Sequence, residues 1–181
     1  MPVFKYLSFC FLLLLAVSRV QAAEVDRPIE DFMGHYIGHA DSEDGIGRDM
    51  SVTIGDIPGS DDYFVEWSTV IHKSKTRTKR VTYNIRFQQS GREGIDASAM
   101  AKDVFGKSRP LDPLNGDPLV WARVKGNTHV VYALIITEDG GYDLQVYSRT
   151  LNAEGLWLEF TRQKDDLPKL EISAQLVRVS K

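Results

Sequence analysis

The chain has 181 residues, a formal net charge of −3, 43% hydrophobic residues and a single cysteine, Cys10. A mildly acidic balance of this kind argues against general nucleic-acid binding. One cysteine rules out a disulfide framework or a thiolate metal cluster within the chain.

Residues 1–22 carry the pattern of a secretory signal peptide. Lys5 gives a positive start, residues 9–17 (FCFLLLLAV) form an apolar core, and Val20-Gln21-Ala22 places permitted residues before a cleavage point after Ala22. The apolar run is too short to cross a bilayer. The expected product is an exported protein, periplasmic or secreted, that does not span a membrane after signal removal. Removing 22 of 181 residues leaves 159, the length of one ordinary domain, residues 23–181. Lys5, Arg19 and Cys10 depart with the leader, so the remaining chain is more acidic and free of cysteine.

In chain order, residues 29–40 (IEDFMGHYIGHA) read as a first strand. Phe32, Gly34, Tyr36 and Gly38 share one face, and Met33, His35, Ile37 and His39 the other. Glycines at alternate strand positions mark close packing or sharp coiling. After an acidic, glycine-bearing loop, Met50, Val52 and Ile54 alternate in a short second strand. Residues 63–71, with Tyr63, Val65, Trp67, Thr69 and Ile71 on one face, form a third. Val81, Tyr83, Ile85 and Phe87 mark a fourth, and a basic hairpin end, residues 72–80 (HKSKTRTKR), joins the two. Alternation then fails from residue 91 to 118. Residues 96–105 read as a short helix or an irregular strand, and residues 109–118 (RPLDPLNGDP) as a loop.

Residues 120–162 are the most regular part. The strand at 128–137 (THVVYALIIT), a turn at 138–141 (EDGG), a strand at 142–151 (YDLQVYSRTL), a turn at 152–155 (NAEG) and a strand from Leu156 make an antiparallel meander. In the middle strand the apolar Tyr142, Leu144 and Val146 are expected to face the core, and Asp143, Gln145 and Arg149 the solvent. In the next strand Leu156, Leu158 and Phe160 face inward. A final strand over residues 170–179 turns Leu170, Ile172, Ala174 and Leu176 to the core.

These elements predict an all-β fold: an antiparallel up-and-down meander closed into a barrel of about eight strands, with a two-sheet β-sandwich as the alternative. The segment Phe32-Met33-Gly34-His35-Tyr36-Ile37-Gly38 resembles the opening strand of calycin-type barrels such as lipocalins and avidins, in which a glycine stands two residues before an aromatic. Tyr36 here takes the place of the lipocalin tryptophan. The resemblance implies a barrel with a central pocket and names no ligand.

No enzymatic signature is present: the nucleophile elbow, the His-Glu-x-x-His helix, the phosphate loop and the dinucleotide fingerprint are all missing. The expectation is a non-enzyme without a cofactor. His35 and His39 share a strand face but stand about 13 Å apart at about 3.3 Å per residue, too far for one zinc ion. Asp41, Glu43, Asp44 and Asp49 crowd one loop without the calcium-loop pattern. No metal site is assigned. Two functional readings stand. In the first, the barrel binds a small apolar or amphipathic ligand against an aromatic wall of Tyr36, Trp67 and Tyr83. In the second, an accessory protein of the cell envelope uses Lys73, Lys75, Arg77, Lys79 and Arg80 to meet an envelope protein or an anionic lipid.

Overall fold

The computed structural model describes residues 25–41, 45–74, 76–99, 101–102, 108–109 and 111–180. The leader at 1–22, Glu43, Asp44 and Lys75 lie outside the described residues.

Twelve strands occur in chain order among them: β1 (Gly34–Asp41), β2 (Gly47–Asp56), β3 (Tyr63–Ser74), β4 (Arg77–Arg92), β5 (Ile95–Ser98), β6 (Ala101–Lys102), β7 (Ser108–Arg109), β8 (Leu119–Lys125), β9 (Thr128–Ile136), β10 (Tyr142–Leu151), β11 (Gly155–Lys164) and β12 (Leu170–Ser180). Ten of them form one closed antiparallel barrel in the order β1-β12-β11-β10-β9-β8-β5-β4-β3-β2, and β6 pairs with β7 in a separate ribbon. The barrel has ten strands where about eight were expected, and its closure sets aside the sandwich. The two additional strands are β5 and β8. β5 lies within the segment in which alternation failed and β8 follows it directly, and β5 reaches β8 through only Asp96↔Ala122 and Ala97↔Trp121. Four residues are too few to show a period, so the β-strand there was visible only as an alternative to a helix.

Closure falls on β1 and β12, where Gly38 lies opposite Leu176. A Cβ on Gly38 would stand 2.4 Å from the Gln175 carbonyl oxygen, so the crossing requires glycine there. The predicted turns at 138–141 and 152–155 are present. Thr137 N–H donates to the Gly141 carbonyl at 2.9 Å, and Asn152 N–H to the Gly155 carbonyl at 3.0 Å.

Residues Ile29–Phe32, expected as the start of the first strand, are instead a 3-10 helix. It places Phe32, fully buried, across one end of the barrel beside Tyr36, Ile54, Val65, Phe87 and Leu176. That end is closed by side chains.

The strongest departure from expectation is β10. Asp143, Gln145, Tyr147 and Arg149 are the buried, inward residues, while Leu144 and Val146 are only partly buried and Tyr142 is exposed. The strand is turned over relative to its hydrophobic pattern. Register explains the inversion: Arg149 lies opposite Leu158 on β11 and His129 on β9, and Tyr147 opposite Phe160 and Val131. Cross-strand partners share a face, so the inward residues of β9 and β11 carry the polar side of β10 into the barrel.

Candidate functional site

A cavity of about 440 Å³ occupies the end of the barrel away from the 3-10 helix. Its apolar wall comes from β2 (Met50, Val52), β11 (Leu158, Phe160) and β12 (Ile172), and its aromatic wall from Trp67, Tyr83 and Tyr147. Trp67 and Tyr83 are register partners on β3 and β4 with ring centroids 5.2 Å apart. Trp67 also packs on Tyr147 at 4.9 Å, and Tyr147 on Phe160 at 4.7 Å. The structure thus brings Trp67 and Tyr83 together as expected from their alternation. Tyr36 lies elsewhere. It is buried at the closed end, where its hydroxyl donates to the Phe32 carbonyl at 2.8 Å and accepts from Arg178 Nε at 3.0 Å. Trp121 and Tyr132 stack on each other at 4.8 Å on the outer face. Trp157 is exposed, which leaves Trp67 as the tryptophan of the interior.

The basic hairpin divides between the cavity and the outside. Lys73 near the end of β3 and Lys79 near the start of β4 line the cavity mouth. Arg77 and Arg80 are exposed, and Arg80 Nη1 donates to Ser68 Oγ at 3.2 Å. The hairpin turn and a register shift between His72 and Ser74 separate Lys73 from Arg77 and Lys79.

Charge is the feature that hydrophobic patterning missed. Arg48, Lys73, Lys79, Arg149 and Arg162 line the cavity, and no carboxylate does so among the described residues. Arg162 is paired: its Nη2 and Nε donate to Asp143 at 2.5 and 3.0 Å. Arg48 donates from Nη1 to the Ile46 carbonyl at 2.7 Å. Deeper in, Gln145 accepts from the Tyr147 hydroxyl at 2.9 Å. Arg149 is different. It is 0% exposed, and its Nε and Nη1 have no hydrogen-bond partner among the described residues.

Among the described residues no carboxylate pairs with Arg149, and the groups packed against it are uncharged. Burial, followed by the Arg149 charge itself, pushes the His129 pKa down to about 3, so that imidazole is neutral at physiological pH. Burial raises Tyr147 to about 12 and lifts Tyr63 further above the usual phenol range, so both hydroxyls keep their protons. Arg149 is drawn down by burial only to about 10 and stays cationic. Its guanidinium carbon lies 5.3 Å from the Trp67 ring centroid and 5.4 Å from that of Tyr147. Each desolvated cation–π contact is worth roughly 2 kcal/mol. A buried ion, by contrast, costs on the order of several kcal/mol. Ring faces also offer no acceptor for in-plane N–H groups, and each unmet donor costs about 1–3 kcal/mol. The aromatic contacts therefore soften the penalty without removing it.

Next to Arg149 lies a polar chain. The Tyr63 hydroxyl donates to Asp96 Oδ2 at 3.1 Å and lies 3.3 Å from His129 Nε2. His129 is 0% exposed and is not part of the cavity wall, so these groups do not meet a substrate there. On the outer face, Asp49 joins His39 and His72 at 2.7 Å each. Among the described residues no group of three or more His, Cys, Asp or Glu is arranged to hold a metal ion. A second depression, of about 470 Å³, lies outside the closed end around Arg27, Asp31, Asn152 and Arg178. Within it Arg27 pairs with Asp31 at 3.2 Å, and Arg178 donates to the Asp31 carbonyl at 2.8 Å.

No helix among the described residues is long and apolar enough to cross a membrane. No protein-family model, curated protein or solved structure matches the chain.

Proposed function

We propose that this chain is an exported β-barrel that binds a small apolar or amphipathic ligand in its open-ended cavity, with Trp67 and Tyr83 in the binding wall. The observation that carries this reading is the cavity itself. It holds about 440 Å³ behind an aromatic and aliphatic wall at one end of a barrel whose other end is plugged. That volume falls within the range that small-molecule sites use, roughly 300–1,000 Å³. The calycin resemblance at Gly34-x-Tyr36 agrees with such a role, and the leader at residues 1–22 agrees with export.

The test is a fluorescence titration with dodecanoate, a lysophospholipid and an aromatic carboxylic acid. Saturable quenching that vanishes in Trp67→Phe, while calorimetry still detects binding, is the expected result. Trp121 and Trp157 lie on the outer face and provide a constant background. The reading fails if no compound gives saturable heat or quenching. In that event the exposed Arg77 and Arg80 favour the other reading, a hairpin that docks on an anionic component of the envelope.

A further inference from the structure

Arg149 is a cation placed where an apolar side chain would pack without penalty. Every other polar group on the inner face of β10 is answered. Asp143 meets Arg162, and Gln145 meets Tyr147. Arg149 alone presents two buried N–H groups without a protein acceptor. Its fork of donors suits an oxyanion, because carboxylate and phosphate oxygens accept in the guanidinium plane while the two rings cover its face.

The rest of the cavity agrees in sign and in shape. Lys73 and Lys79 stand at the mouth on a chain whose net charge is negative, a distribution that draws anions inward. Between mouth and Arg149 the wall is largely apolar, from Met50, Val52, Leu158, Phe160 and Ile172, and its polar members Arg162 and Gln145 are already paired, with Asp143 and Tyr147. Unpaired positive charge at depth behind such a wall matches a molecule with one anionic head and a hydrocarbon body.

We infer that the cavity takes an anionic amphipath head-first, with its carboxylate or phosphate paired to the Arg149 guanidinium and its tail running past Trp67 and Phe160 toward Lys73 and Lys79. This rests on the binding reading above and adds the ligand's charge and orientation. Arg149 is fully covered, so the head reaches it as Trp67 or Tyr147 shifts aside. Binding and the Trp67 environment are thereby coupled.

Calorimetry with dodecanoate, dodecyl phosphate and dodecanol on the wild-type protein, Arg149→Met and Arg149→Lys provides the test. The wild type should bind at least one of the two anions about tenfold or more tighter than the alcohol. Which anion is preferred tells a carboxylate head from a phosphate head. Arg149→Met should lose that preference while keeping its dodecanol affinity, and Arg149→Lys should retain part of it. Thermal melting of Arg149→Met should match or exceed the wild type, because the uncompensated charge is gone. Should that variant not fold, Lys73→Gln/Lys79→Gln decides the matter. Head-first insertion keeps the anion preference in this double variant, whereas capture of the head at the mouth abolishes it. Equal wild-type affinity for dodecanol and both anions would overturn the inference and leave the binding reading standing. An anion preference that survives in Arg149→Met would overturn it too. Failure of all three probes to bind the wild type would bring down both.

Discussion

Arg149 and Leu144 show at the level of single residues how a barrel cavity reverses ordinary patterning. Apolar side chains mark the inside of a filled barrel, but β10 turns Asp143, Gln145 and Arg149 inward. Leu144 consequently faces out, opposite Leu134 and Gln163, and is only partly buried. Leu158 faces in and is 5% exposed. Leu158→Ala should therefore cost about 2–4 kcal/mol, allowing for the cavity it borders, and Leu144→Ala about 1 kcal/mol or less. Urea unfolding of the two variants checks this, and equal losses would mean that β10 is not turned over. The sequence carried one signal of the inversion that alternation counting passed over. Tyr147 shares a face with Asp143, Gln145 and Arg149, and its neighbours across the sheet, Val131 and Phe160, are apolar. Trp67 and Tyr83 were legible because β3 and β4 present long unbroken alternation. Arg149 was not, because its role depends on the register of three strands together.

At the level of strands, the outer face of β1, β2 and β3 is joined by one carboxylate. Asp49 lies directly opposite His39 and diagonally from His72, and the two imidazoles reach its two oxygens at 2.7 Å each. His35 and His39 share a strand face but stand too far apart for one ion. His35 accordingly pairs with Thr53 Oγ1 at 2.8 Å, away from His39. What periodicity does not reveal is the diagonal partner on a third strand. Hydrogen bonds to Asp49, and then to Asp41, hold the His39 pKa above its ordinary value of 6.5. This raised group stabilises the fold below the unfolded pKa, and the contribution disappears as pH rises through the folded one. Asp49 has the opposite sign. Its pKa is lowered by His39 and then His72, so its contribution exists above 3.8 and is lost as pH falls through the lowered folded value. Both act in full between the ordinary Asp49 value of 3.8 and the ordinary His39 value of 6.5, and exposure keeps the effect small. A histidine NMR titration should find His39 above 6.5, and Asp49→Asn should bring it down. A His39 pKa that does not respond to Asp49→Asn would contradict this pairing.

The whole barrel is a closed ladder with one plugged end and one cationic mouth, and both properties depend on β1 meeting β12. Closure as such was legible, because a meander of strands with no cover for its edges must hide them. The strand count was not, because β5 has only four residues, too few for alternation to show, and irregular chain follows it. The glycines on the first strand were the better guide to how closure is achieved. At Gly38 a methyl group would stand 2.4 Å from the Gln175 carbonyl oxygen and 2.6 Å from Leu176 Cδ2. The leucine can rotate away, but the carbonyl belongs to the β12 ladder and moves only with its strand. Gly38→Ala should accordingly destabilise the protein by about 1–3 kcal/mol, the usual cost of overpacking. Ile37→Ala, one residue earlier and 47% exposed, should cost less than about 1 kcal/mol. Hydrogen exchange locates the effect. Amides of the β1–β12 pairing should lose protection in Gly38→Ala while those between β9, β10 and β11 keep theirs. A seam that opens also frees two strand edges, so the variant should self-associate as its concentration rises, which sedimentation can follow. Uniform loss of protection around the barrel, or a Gly38→Ala variant as stable and monomeric as the wild type, would show that closure does not depend on this contact.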